Sequence, residues 1–172
     1  MKIGLDMGHT LIGGDLGVQY CGLKEEDKTR EIGKILSEIL VQAGHTVVDC
    51  TVDEADSVEE SLSARVKMAN SNNVGLFISL HLNAYNGDAR GVETHLYNDC
   101  SRETIDYAFK IQREICKLGY VDRGVKKGEL YLVKHVSAPA IIIECGFIDN
   151  DGDMALFNAE AIAKGILTGI EG

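Results

Sequence analysis

Short apolar runs alternate along the whole chain with stretches whose apolar residues recur at helical spacing, and this alternation limits the possible folds more than any other feature of the sequence. Strands are expected at Lys2 to Asp6, Thr46 to Thr51, Gly75 to Leu80 and Val92 to Tyr97, near Leu130 to Val133, and at Ala140 to Glu144. Helices are expected over Glu26 to Ala43, Val58 to Ser71, Arg102 to Leu118 and about Asp153 to Leu167, with Gly44 and Gly119 as natural stops because a left-handed helix end favours glycine. The rhythm implies an α/β fold: a mostly parallel twisted sheet of about six strands with helices on both faces. In such sheets a ligand crevice lies beyond the carboxyl ends of the strands.

At 172 residues, with a single Pro and no repeat or low-complexity tract, the chain reads as one domain over 1–172. The formal net charge of -10 repels phosphate backbones, and no basic run outweighs it, so nucleic acid is a poor partner. The start Met1-Lys2-Ile3-Gly4-Leu5-Asp6 is neither a signal peptide nor an anchor. The longest apolar runs fall far short of the ~20 residues that span a bilayer, which argues against membrane insertion. Five cysteines, an odd number without a Cys-x-x-Cys pair, argue against both a disulfide framework and a cysteine metal site. The expected setting is a chain folded with reduced thiols in the cytoplasm.

Polar clusters sit where strands should end: Met7-Gly8-His9, His81-Leu82-Asn83 and Glu144-Cys145-Gly146. Either histidine alone reads as a structural residue, but two imidazoles at two strand ends suggest a metal. Two neutral imidazoles and one carboxylate make the three-ligand zinc site that leaves a fourth position open. Glu25, Glu26 and Asp27, just before the first long helix, offer that carboxylate, although acids there also suit the positive helix terminus. Glu144 ends the run Ile141-Ile142-Ile143, and a carboxylate at the mouth of so apolar a strand is costly unless paired or functional. Beside zinc it fits a general base.

The strings Leu5-Asp6-Met7-Gly8-His9, Gly14-Asp15-Leu16-Gly17-Val18, Arg65 with Ala69-Asn70, Ser79-Leu80-His81-Leu82-Asn83-Ala84, and Pro139-Ala140-Ile141-Ile142-Ile143-Glu144-Cys145-Gly146-Phe147-Ile148-Asp149-Asn150 together resemble the zinc-dependent N-acetylmuramoyl-L-alanine amidases of the amidase-3 type. The resemblance covers nearly the whole chain, and its last string is the most specific. It implies one zinc ion on His9, Glu25 and His81, a catalytic Glu144, and hydrolysis of the amide between muramic acid and L-alanine in peptidoglycan. The family usually has Pro and Gly where this chain has Met7 and Thr10, which implies a differently shaped first loop. Placing Gly44 at the offset usual in the family, the resemblance implies Glu25 rather than Glu26 as the ligand, leaving Glu26 the character of a surface residue. Without a leader or wall-binding repeats, the chain resembles the catalytic domain of a phage endolysin, made in the cytoplasm and acting on the bacterial cell wall after release, more than an exported autolysin.

Two rivals remain at the level of sequence. Cys145 could serve as a nucleophile with His81 or His135 as its base, although strand alternation turns it away from Glu144. A non-catalytic glycan-binding module would need no such constellation. With aromatics at 6% and no Trp, it would also have little to stack on a sugar.

Overall fold

The computed structural model of the protein describes residues 1–172. Its principal strands are β1 (Lys2–Met7), β2 (Thr46–Asp49), β3 (Leu76–Asn83), β4 (Val92–Tyr97), β5 (Asp122–Gly128) and β6 (Ala140–Phe147). They form one six-stranded sheet in the order β2-β1-β3-β6-β4-β5. All neighbours are parallel except β6 and β4, so the expected mostly parallel sheet is present. The helices are α1 (Glu25–Gln42), α2 (Val58–Ser71), α3 (Arg102–Cys116), α4 (Tyr131–His135), α5 (Asp151–Leu156) and α6 (Ala159–Glu171).

Alternation along the central strands sorts side chains onto two faces. Ile3 and Leu5 of β1, Leu76, Ile78 and Leu80 of β3, and Ile141, Ile143 and Cys145 of β6 join the larger core. Helices close that face by repeating an apolar residue every fourth position: Ile32, Leu36 and Leu40 on α1, Ile111 and Ile115 on α3, Ile162, Ile166 and Ile170 on α6. Phe77, Ala140 and Ile142 face the other way, where Ala69 of α2 and Leu132 and Val133 of α4 cover them. Helices therefore flank both faces, and the central strands read as continuous apolar runs because neither face meets water. Ser57 and Ser101 start α2 and α3 by accepting the backbone N–H of Glu60 and Thr104, each at 3.2 Å. Gly44 and Gly119 follow α1 and α3 with φ of 86° and 105°, as the stop signals anticipate.

Three expectations need correction. No strand runs from Leu130 to Val133: the segment is α4, and the strand pairing with β4 is the polar Asp122–Gly128. That strand is at the sheet edge with one neighbour, so it takes the charges and glycines of Asp-Arg-Gly-Val-Lys-Lys-Gly, and no apolar alternation marks it. The last helix is two helices, α5 and α6, broken at Phe157 and Asn158. Asn158 restarts the helix by accepting the N–H of Ala161 at 2.9 Å. Finally, Glu26 is not a surface residue, being only 2% exposed.

Candidate metal centre and active site

The carboxyl ends of β1, β3 and β6 point to the same edge of the sheet, and the polar clusters meet there. β1 leads into Gly8 and then His9, whose φ of 64° lies in the left-handed region that a non-glycine residue adopts only when its surroundings impose it. The imposing groups are visible. Arg65 of α2 forms a buried ion pair with Asp6 and donates through Nη2 to the carbonyl of His9 at 2.8 Å, while Arg30 of α1 donates to the same carbonyl at 3.0 Å. Ser79 completes Asp6 by donating its hydroxyl at 2.6 Å. Gly8 is required by close approach: a Cβ there would stand 2.4 Å from Cε1 of His81.

Glu25, the first residue of α1, places Oε1 3.2 Å from Nε2 of His9 and 3.1 Å from Nδ1 of His81. One ligand atom from each residue lies within 4.8 Å of the others, so two imidazoles and one carboxylate converge as a zinc-type donor set. Supporting contacts fix His9 and Glu25. Asp15 Oδ1 lies 3.2 Å from His9 Nδ1, leaving Nε2 turned inward, and the backbone N–H groups of Leu82 and Val18 donate to the two oxygens of Glu25 at 3.0 Å each. The electrostatics agree with a cation site. Burial opposes charge on His9, yet the hydrogen bonds to Asp15 and Glu25 outweigh it and raise the pKa to about 10. Burial likewise opposes charge on Glu25, but His81 and His9 hold its carboxyl well below the usual range. Glu26 touches neither imidazole, so Glu25 is the carboxylate the structure brings to the cluster.

Glu144 pairs in register with His81 on β3 and with Glu93 on β4, which puts all three on one face in a row across the strands. Its Oε2 is buried without a hydrogen-bond partner. Burial, with added repulsion from Glu25 and Glu93, raises its pKa to about 7 against the attraction of His81. An acid held near neutrality and lacking a structural partner can accept and return a proton.

Cys145 is fully buried in the opposite core and burial pushes its thiol far up, so it stands outside the site, on the side alternation assigns it. The nucleophile reading fails on access. His135, its other suggested partner, is an exposed residue of α4 packed on Tyr131.

Glu93 escaped the sequence reading. It is buried, accepts Nδ2 of Asn83 at 3.1 Å and Nε of Arg123 at 2.7 Å, and also pairs with Lys126 and His95. The only sequence signal was an acid inside the expected strand Val92 to Tyr97.

A sheet of this topology with a His-Glu-His cluster and a carboxylate at its strand ends defines an α/β protein with a candidate metal centre. The chain belongs to the Amidase_3 family, described as N-acetylmuramoyl-L-alanine amidase, whose model matches residues 3–172. Among curated relatives it is 29% identical to N-acetylmuramoyl-L-alanine amidase CwlM of Bacillus licheniformis over 98% of this chain and 65% of that protein. It is 32% identical to the endolysin of Bacillus phage SPP1 over 96% of this chain and 61% of that protein. The chain thus spans less than two thirds of the length of these relatives. Its fold is similar to the catalytic domain of the CD27L endolysin that targets Clostridia difficile, with a TM-score of 0.90 and 28% identity over 99% of this chain and 97% of that one.

Proposed function

We propose that this chain is the catalytic domain of a peptidoglycan amidase that hydrolyses the bond between N-acetylmuramic acid and L-alanine, with one zinc ion on His9, Glu25 and His81 and with Glu144 as general base. The observation that carries the reading is the convergence of those three donors beside a carboxylate whose Oε2 has no other partner. Family membership supplies the bond, since the matching model and CwlM both carry that activity in their names. The endolysin relative supports action on the bacterial wall, and no helix is long and apolar enough to cross a membrane.

When bound, zinc supplies a Lewis acid for the scissile carbonyl and acidifies water. The remaining work belongs to the chain. Asp15 and the backbone N–H groups of Val18 and Leu82 hold the donors in place. Glu144 accepts the proton of the attacking water as the C–O bond forms and returns it to the alanine nitrogen as the C–N bond breaks. Burial raises its pKa in the metal-free chain, which favours uptake of that proton.

The test joins metal analysis of purified protein to mass spectrometry of digested wall. Expected are one zinc per chain, free lactyl carboxyl groups with new L-alanine amines, loss of activity in a chelator and its return with zinc. Activity untouched by the chelator and abolished by thiol alkylation would overturn the reading. Wall binding without bond cleavage by zinc-loaded protein would favour a glycan-binding module.

A further inference from the structure

Beyond Glu144 the row of side chains continues into a feature the hydrolytic step does not use. Arg123 of β5 donates Nε to Glu93 at 2.7 Å, and its guanidinium lies over the ring of Phe147 with Cζ 4.9 Å from the ring centroid. No group of the chain accepts a hydrogen bond from either Nη atom, and the side chain is 33% exposed. One edge of the guanidinium is therefore fixed by a carboxylate and one face by an aromatic ring. Nη1 and Nη2 have no partner in the chain and remain free to pair with a carboxylate. Lys126 joins Arg123 on Glu93, so two cations meet this acid.

A pocket of about 230 Å³ lies against this guanidinium, lined by Asn83, Ala84, Tyr85, Ala89, Arg123 and Phe147. Its walls adjoin the catalytic residues: Asn83 is two residues past His81 on β3, and Phe147 is three past Glu144 on β6. It is also held in shape. Asp149 accepts the backbone N–H groups of Tyr85 and Gly87 at 2.9 and 3.0 Å, and Asn150 donates to the carbonyl of Gly87 at 2.8 Å. Tyr85, 80% exposed, stands at the rim.

We propose that Arg123 and this pocket form a subsite for a free carboxylate on the stem peptide, one or two residues beyond the L-alanine, a reading that rests on the amidase function above. Reach supports it. β5 lies two strand spacings from β6, about 10 Å, and two extended residues span about 7 Å, with the arginine side chain bridging the remainder. Chemistry selects the peptide over the glycan. The lactyl carboxyl of the sugar is consumed in the scissile amide, so neighbouring sugars offer hydroxyl and acetamido groups, whereas the peptide offers a carboxylate.

The test compares purified peptidoglycan with the same material after its free carboxyl groups are converted to amides, reading release of L-alanine amines. Amidation should lower kcat/KM of the wild type about 10- to 100-fold, mainly through KM, as expected for losing one charge-assisted hydrogen-bonded pair. Arg123→Gln should be slow on both substrates and nearly blind to the difference, while zinc content stays at one per chain. Arg123→Lys should recover only part of the preference, having charge without the fork. Equal wild-type rates on both materials would overturn the subsite without any variant. So would an Arg123→Gln loss that leaves the ratio intact, because Arg123 would then only support Glu93. Release from neither substrate by the wild type would count instead against the amidase reading.

Discussion

Glu144 and Cys145 show how much one residue step decides. Neighbours in sequence, they face opposite sides of the sheet, so one carboxylate borders the His-Glu-His cluster and one thiol is sealed in the larger core. Glu144→Gln is nearly isosteric and removes no metal donor, so zinc content should be unchanged while hydrolysis falls by about 10²–10⁴-fold or more. Residual activity within a few fold of wild type would mean that another group takes the proton, and loss of zinc would make Glu144 a ligand. Much of this scale was legible in the chain: the structure brings His9, Glu25 and His81 together and sets Glu144 in register with His81, although Glu25 lies outside the matching strings and was reached only through the resemblance. What was not legible was support. Asp15 on His9 and Glu93 beside Glu144 depend on loop closure and cross-strand register, which no local spacing encodes.

At the scale of elements, the site is a junction of β1, α1, β3 and β6, and its tightest joint is the turn at Gly8. A methyl group there would press on the His81 ring and on the Leu80 carbonyl, 2.4 Å from the ring and 2.6 Å from the oxygen. Gly8→Ala should therefore weaken zinc binding severely while leaving the cores intact, read as loss of stoichiometric zinc with a near-native circular dichroism spectrum. Full zinc occupancy in that variant would show that the turn yields more easily than the contacts imply. Buried elements were readable because β3 and β6 are apolar on both faces. The edge strand β5 was missed because its pairing, with a single neighbour, tolerates a polar sequence, and α4 was mistaken for a strand because five residues are too few to display a helical period.

For the molecule as a whole, the proposed zinc site would link metal binding to stability through the proton on His9. Its folded-state pKa of about 10 exceeds the ordinary 6.5. The stability this proton gives the metal-free protein is complete below about 6.5 and is lost as pH rises through about 10. Zinc competes for the same donors and gains where the proton leaves. The rise in Tm on adding zinc should thus grow from pH 6 to pH 9. With zinc at 100 times its Kd, the stabilisation of about 3 kcal/mol corresponds to roughly 5–10 °C in a domain of this size. A rise that shrinks with pH would remove His9 from the ligand set. The sheet order carries a consequence in time as well. β6, the last strand to be synthesised, inserts between β3 and β4, which were made long before it, and it carries Glu144. Until the ribosome has released that strand, the sheet stays open in the middle and the base is missing. Whatever chemistry the site supports must therefore wait until the sheet is whole.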